Sequence, residues 1–287
     1  MTFDPLGDIR AVRGGWRWGG VRPASWPPAT LGIPEPASNL DWARNEPVRG
    51  LRWLIQRGLS VPVTRAVTGL KVEGERWLDH QDRPVLLVSN HVSHADTPIL
   101  LAALPDRARE RTVVGAAADY WYARPWLGRL VSLWLNTFPF SRSGGAQAVL
   151  HNSSQLLKSG WNLLIYAEGT RSTDGRLQPF LPGVGHLANE TRSPVIPMHV
   201  HGTHRVMPKG RRYFLPAPVE VRIGRPLEPR RGEGSRAFTA RVEGAVRALG
   251  EGSGDSAVAG SWIERWRASA PRSSSPGRGG SRTDPPS

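Results

Sequence analysis

The stretch Pro84-Val-Leu-Leu-Val-Ser89-Asn90-His91-Val92-Ser93-His94-Ala95-Asp96-Thr97-Pro98 decides how this chain folds. The short apolar run behind Pro84 reads as a buried strand. A polar turn follows it. Thr97 to Leu104 then predicts a helix, with Asp96 as a candidate N-cap and Pro98 in the first turn. The same alternation recurs downstream. Thr112–Ala117, Trp161–Tyr166, Val195–Val200 and Val219–Ile223 are strand-like, whereas Ala146–Lys158, Val184–Glu190 and Ser235–Leu249 are helical and Tyr120–Leu135 is amphipathic. Strands alternating with helices predict an α/β domain, a central mostly parallel or mixed sheet flanked by helices. In such sheets ligands sit beyond the carboxyl ends of the strands.

This domain is expected to span residues 70–249. Ahead of it, residues 41–69 predict an amphipathic helical segment. Leu51, Leu54, Ile55, Leu59 and Val63 keep roughly helical spacing, Arg49, Arg52 and Arg57 lie between them, and Pro62 interrupts the pattern. Such a basic amphipathic helix lies either on the domain or on a membrane surface. Residues 1–40 are rich in Gly, Pro and Trp without a period and read as a flexible arm. Residues 250–287, rich in Gly, Ser, Pro and Arg, read as a disordered tail.

Composition narrows the chemistry. The 287 residues contain no cysteine, which excludes disulfides, thiolate metal sites and a cysteine nucleophile. Lys and Arg outnumber Asp and Glu by 38 to 24, a net charge of +14, and the isoelectric point is about 11.3. Such a balance favours anionic partners: phosphates, an acidic carrier protein, anionic lipid or nucleic acid. No stretch approaches the ~18 apolar residues of a membrane span. The opening MTFDPLGDIR lacks the basic-then-apolar order of a secretory signal, so a cytoplasmic location is expected.

Two strings carry candidate chemistry. In the first, His91 and Asp96 are five residues apart across a turn that leads from a strand into a helix. The carboxylate either caps the helix or curls back onto one imidazole nitrogen. The second arrangement leaves the other nitrogen as a general base, with Asp96 fixing the tautomer. The second string, Tyr166-Ala167-Glu168-Gly169-Thr170-Arg171-Ser172, again follows an apolar strand. It is either a polar surface loop or a binding loop. In the latter, Gly169 permits close backbone approach, Thr170 and Ser172 offer hydroxyls, and Arg171 offers a planar fork for phosphate or carboxylate.

As an ordered pair, Asn90-His91-x4-Asp96 followed by Glu168-Gly169-Thr170-Arg171-Ser172 resembles the glycerolipid acyltransferase family. Its members include glycerol-phosphate, lysophosphatidic-acid and lysophospholipid acyltransferases. Phe138-Pro-Phe140-Ser-Arg142 and Val195-Ile196-Pro197-Met198 resemble two further family blocks, and the likeness covers about Val72 to Gly224. The resemblance implies direct acyl transfer without a covalent intermediate. The donor would be acyl-CoA or acyl carrier protein as co-substrate, and no other cofactor or metal is implied. The acceptor would be the hydroxyl of a lysophospholipid, 1-acyl-glycerol-3-phosphate foremost. His91 would be the base and Asp96 its orienter, while Arg142, Glu168, Gly169, Thr170 and Arg171 would hold the acceptor head group. Many relatives carry a lysine near Ala116–Ala118 and another where this chain has Leu181. Their absence leaves room for a phosphodiester or a non-phosphate acceptor. An acceptor that is itself a membrane lipid implies peripheral attachment to the inner, cytoplasmic leaflet through an anionic surface.

Other readings are weaker. His199, His201 and His204 lack a nearby acidic partner for a metal, and Val92 and Thr97 break the metallohydrolase pattern around His91. Gly183-Val-Gly185-His-Leu-Ala188 imitates a dinucleotide fingerprint but follows Pro-Phe-Leu-Pro rather than a strand, so helix-start packing is expected. Arg205–Arg247 holds eleven basic and four acidic residues. It lacks interleaved aromatics and any zinc-finger or helix-turn-helix spacing, so nucleic acid is not the expected partner. Tyr120–Leu135 puts Trp126, Leu127, Leu130, Val131 and Trp134 on one side, which fits either an interfacial helix or one packed on the sheet.

Overall fold

Seven strands order as β1-β7-β6-β2-β5-β3-β4 in the computed structural model. The structure describes residues 41–79, 81–117, 122, 125–140, 146–172, 176–207 and 214–251. The expected arm at 1–40, nearly all of the expected tail and Arg142 lie outside the described residues. The strands are β1 Lys71–Glu73, β2 Leu86–Ser89, β3 Thr112–Ala117, β4 Thr137–Phe140, β5 Asn162–Tyr166, β6 Val195–His201 and β7 Glu220–Ile223. Every pairing is parallel except β6 with β7. The sheet is therefore mixed and mostly parallel, as the alternating pattern implies.

Period-two alternation sends neighbouring side chains to opposite faces. On β2, Leu87 points to one apolar layer while Leu86 and Val88 point to the other. Helix α3 (Asp96–Ala103) and helix α5 (Pro125–Leu135) cover the first layer through Ile99, Leu100, Val131 and Leu135. The second is covered by α6 (Ala146–Lys158), α7 (Gly183–Thr191) and α8 (Ser235–Glu251), through Leu157, Leu187, Phe238 and Val242. A short α4 (Asp106–Glu110) leads into β3. The Gly183-Val-Gly185 string opens α7. A Cβ at Gly185 would lie 2.0 Å from the Ser235 carbonyl oxygen, so this glycine lets α7 and α8 touch.

The N-terminal helical run departs from expectation in two ways. First, Pro62 does not interrupt it. Helix α1 (Glu46–Ile55) passes through a π-helical turn at Gln56–Ser60 into α2 (Val61–Thr68), an unbroken 23 residues. The π turn absorbs the missing amide hydrogen, and Pro62 falls in the first turn of α2, where none is needed. Asn45 starts the run by accepting from the Val48 amide at 3.1 Å, and Gly69, in the left-handed region at φ 49°, ends it.

Second, Arg52 and Gln56 face inward, while Arg57 and Arg65 stay exposed. Arg52 is only 4% exposed. Its guanidinium donates to the carbonyl oxygens of Leu133, at 2.8 Å, and of Ala43. Gln56 donates to the Trp134 carbonyl at 2.7 Å. The Leu133 and Trp134 oxygens are end-of-helix carbonyls of α5, which need donors from elsewhere. Burial, then the neighbouring Arg44 and Arg49, pull Arg52 down to about 10, so it remains a cation near neutral pH. Leu54 and Leu59 are meanwhile 60% and 63% exposed, with Leu51 and Val63 also exposed beside them.

Helix α5 does not keep its apolar residues on one side either. Val131 and Leu135 enter the core, while Trp126 and Leu130 are exposed. Among the described residues no helix is long and apolar enough to cross a membrane.

Candidate active site

Strands β2 and β5 are adjacent and parallel, with Ser89 beside Tyr166. Their carboxyl ends therefore release the two candidate strings next to each other. The geometry decides what Asp96 does. It does not cap α3 from outside: the helix begins at Asp96, and the N-cap position, Ala95, makes no side-chain cap. The fully buried carboxylate curls back, and Oδ2 lies 2.9 Å from His91 Nδ1. The same oxygen accepts the amides of Val92 and Ser93 at 2.7 and 2.9 Å. With Nδ1 donating to the carboxylate, His91 keeps the Nε2 lone pair available as a base.

The second string holds the main chain of the first. Glu168 Oε1 accepts the His91 amide at 2.7 Å, and the Ser172 amide donates to the His91 carbonyl at 2.8 Å. Glu168 Oε2 accepts the Gln178 amide at 2.9 Å, tying in the next loop. Glu168 is thus buried and bonded to main chain through both oxygens. Gly169 turns at φ 69°, and a Cβ there would meet Leu181 Cδ1 at 2.7 Å. Thr170 and Arg171 are exposed. Seven expected site residues were named from the sequence. His91, Asp96, Glu168, Gly169, Thr170 and Arg171 converge at the ends of β2 and β5, and Arg142 is outside the described residues.

Two contributors were not assigned from sequence. Asn90 pairs through its amide with both main-chain groups of Val200, at 3.0 and 2.8 Å, so a side chain stands in for a ladder step with β6. Tyr166 lies flat against His91, with ring centroids 3.9 Å apart and planes 14° from parallel. Neither has a signature beyond sitting at a strand end.

Two other histidines are electrically unusual. His94 is lowered to about 4, first by burial and then by the charges of Arg171 and His91, with Asp96 opposing. This coupling puts Arg171 within electrostatic reach of His94, which also feels His91 and Asp96. His199 is also lowered to about 4, by burial, His201 and Arg222. Among the described residues no group of three or more His, Asp or Glu is placed to hold a metal ion. Three arginines of the basic stretch pair within it: Arg222 with Glu220, Arg241 with Glu233 and Arg247 with Glu243.

A histidine whose folded pKa lies below its unfolded value of about 6.5 makes the unfolded chain bind more protons between the two values. Stability is then fullest above pH 6.5 and falls as pH drops toward 4. For His94 and His199 together the expected slope of unfolding free energy between pH 6.5 and 5 approaches two protons, each about 1.4 kcal/mol per pH unit. Urea titrations across that range measure it. His199→Gln should reduce the slope by about one proton, and a flat wild-type profile would contradict the account.

Fold and site together define a class: an α/β domain presenting an imidazole–carboxylate pair and a guanidinium at adjacent strand ends. Across residues 69–201 the chain matches the Acyltransferase family model and carries a domain of that family. It is 31% identical over 163 residues to a 1-acyl-sn-glycerol-3-phosphate acyltransferase of Limnanthes douglasii, covering 55% of this chain and 54% of that protein. Against the alpha form of the same named enzyme from Mus musculus it is 30% identical over 155 residues, half of each chain. The chain thus spans about half the length of the curated relatives it matches. The crystal structure of the 1-acyl-sn-glycerophosphate (LPA) acyltransferase PlsC from Thermotoga maritima is similar at a TM-score of 0.55 and 26% identity, covering 70% of this chain and 82% of that one.

Proposed function

We propose that the domain transfers a fatty acyl group from acyl-CoA or acyl carrier protein to the hydroxyl of a lysophospholipid, 1-acylglycerol-3-phosphate first among them. The observation that carries this reading is the hydrogen bond from His91 Nδ1 to Asp96 Oδ2, made beside the Arg171 loop in a domain of this family. His91 Nε2 takes the acceptor's hydroxyl proton as the oxygen attacks the thioester carbonyl carbon. Asp96 stabilises the imidazolium. The carbon–sulfur bond then breaks, and His91 returns the proton to the departing thiolate, leaving an ester and a free thiol. A base so placed supplies about 10²–10⁴-fold.

Gly169, Thr170 and Arg171, with Arg142, bind the acceptor head group, Arg171 by charge-assisted bonds to its phosphate. Glu168 serves this pocket by fixing the loops that form it. The exposed face of Leu51, Leu54, Leu59 and Val63, with Trp126 and Leu130, seats the domain on a lipid surface. The net charge of +14 favours anionic lipid there, the peripheral attachment to the inner leaflet expected above.

A panel of radiolabelled acyl-CoA and acyl carrier protein against 1-acylglycerol-3-phosphate, lysophosphodiesters and a phosphate-free monoacylglycerol tests the reading. His91→Ala should lose at least about 10²-fold in kcat while the fold persists. Arg171→Gln should raise the acceptor KM more than the donor KM. Transfer that survives loss of His91, or an acceptor KM indifferent to Arg171, would defeat the assignment.

A further inference from the structure

The geometry points to Tyr166 as the positioning residue that fixes the plane of the His91 imidazole, through ring stacking on one side and a hydroxyl contact to Thr97 at its far end. This rests on the proposed role of His91 as base, but its own geometry is independent of any substrate.

The main chain of His91 is already held at both its amide and its carbonyl. Its ring is fixed at one edge by the bond from Nδ1 to Asp96. A single bond at one ring atom still lets the ring rock about that contact, and rocking would swing Nε2 away from an incoming hydroxyl. A flat neighbour removes that freedom. Tyr166 provides one, at 3.9 Å between centroids and 14° between planes, the separation of stacked aromatic rings.

Tyr166 is itself anchored. It is the last residue of β5, and its hydroxyl lies 2.7 Å from Thr97 Oγ1. Thr97 follows Asp96 directly in the first turn of α3. The contacts therefore close a circuit: His91 to Asp96 by hydrogen bond, Asp96 to Thr97 by the chain, Thr97 to Tyr166 by hydroxyls, and Tyr166 back to His91 by stacking. The acid and the platform are referred to the same helix turn, so they cannot drift independently of the base. Burial first, and then the Asp96 charge, push the phenol well above its ordinary range. Tyr166 thus stays neutral and acts through shape and its ring face.

The test uses the purified full chain with ¹⁵N-labelled histidine, reading the His91 tautomer by NMR without substrate, alongside kcat and KM. Wild type should show one tautomer, with the proton on Nδ1. Tyr166→Phe combined with Thr97→Val removes both hydroxyls together and keeps the ring; it should keep that tautomer but lower kcat about two- to fivefold through the lost anchor, less than removal of the ring. Tyr166→Leu removes the ring and should give averaged nitrogen signals with a 10–100-fold lower kcat at nearly unchanged acceptor KM. Should the leucine variant fail to fold, Tyr166→Met fills a similar volume without a flat face and makes the same comparison.

A ring-free variant that keeps both the fixed tautomer and wild-type kcat overturns the proposal, as does a ring-retaining variant that loses both. The tautomer readout needs no acyl transfer. An inactive wild type with a fixed, ring-dependent tautomer would therefore defeat the proposed function while leaving this inference standing.

Discussion

Replacing Asp96 by Asn is expected to lower kcat by about 10²–10³ with little change in the thermal midpoint. One carboxylate oxygen does all the visible work. Oδ2 accepts His91 Nδ1 and the amides of Val92 and Ser93, whereas the buried Oδ1 has no hydrogen-bond partner among the described residues. An asparagine carbonyl oxygen placed at Oδ2 keeps all three donors. Its NH₂ group falls where Oδ1 was, so the substitution adds no new unpaired position. The opposite rotamer would forfeit two main-chain bonds, each worth about 1 kcal/mol, and is disfavoured. The His91 tautomer therefore survives, and what is removed is the negative charge that offsets the imidazolium. In the serine-protease triad the same change costs about 10⁴ because the tautomer is lost as well. The smaller loss here follows from the Val92 and Ser93 amides. Steady-state turnover paired with a thermal melt measures it, and turnover within a few-fold of wild type would take Asp96 out of the reaction.

The second large effect concerns lipid binding. Leu54→Glu with Leu59→Glu should weaken partition onto anionic vesicles by about 10²–10⁴-fold while the fold is retained. Both side chains are mostly exposed, so their loss removes little core. Transfer of each from water into an apolar layer is worth about 1.5–3 kcal/mol, and the pair sums to the stated range. The new carboxylates are also repelled by anionic head groups. Cosedimentation with phosphatidylglycerol vesicles reads the partition. Activity should fall for an acceptor presented in vesicles and persist for a short-chain acceptor dissolved as monomer. An unchanged partition would show that this face meets something other than lipid.

How far these features were legible in the sequence depends on the range of the interactions involved. Strands β2, β3, β5 and β6 announce themselves because a strand buried on both faces is a continuous apolar run. β1 does not, since Lys71-Val72-Glu73 is a three-residue edge strand with one partly buried side chain. The reversed direction of β7 against β6 is equally silent, because a long connection separates them and either sense fits the pattern. At the site, the ordered pair of strings was readable because both follow strands. Whether Asp96 capped a helix or met His91 was not, for five residues of spacing permit either.

The amphipathic character of 46–68 was plain, but its orientation was not. Helical spacing separates an apolar side from a polar one without saying which side has a partner. Here the partner is the carbonyl-rich end of α5, which Arg52 and Gln56 satisfy and no leucine could.

The inward packing of Arg52 and Gln56 bears on how a less sticky form of the protein could be made. Trimming the chain back to the first strand looks attractive, since it discards the oily exterior in one cut. Yet it would also strip the guanidinium and amide that bind the backbone oxygens at the end of α5. Redesigning the outward leucines one by one, with the inner arginine and glutamine untouched, is the route the architecture allows.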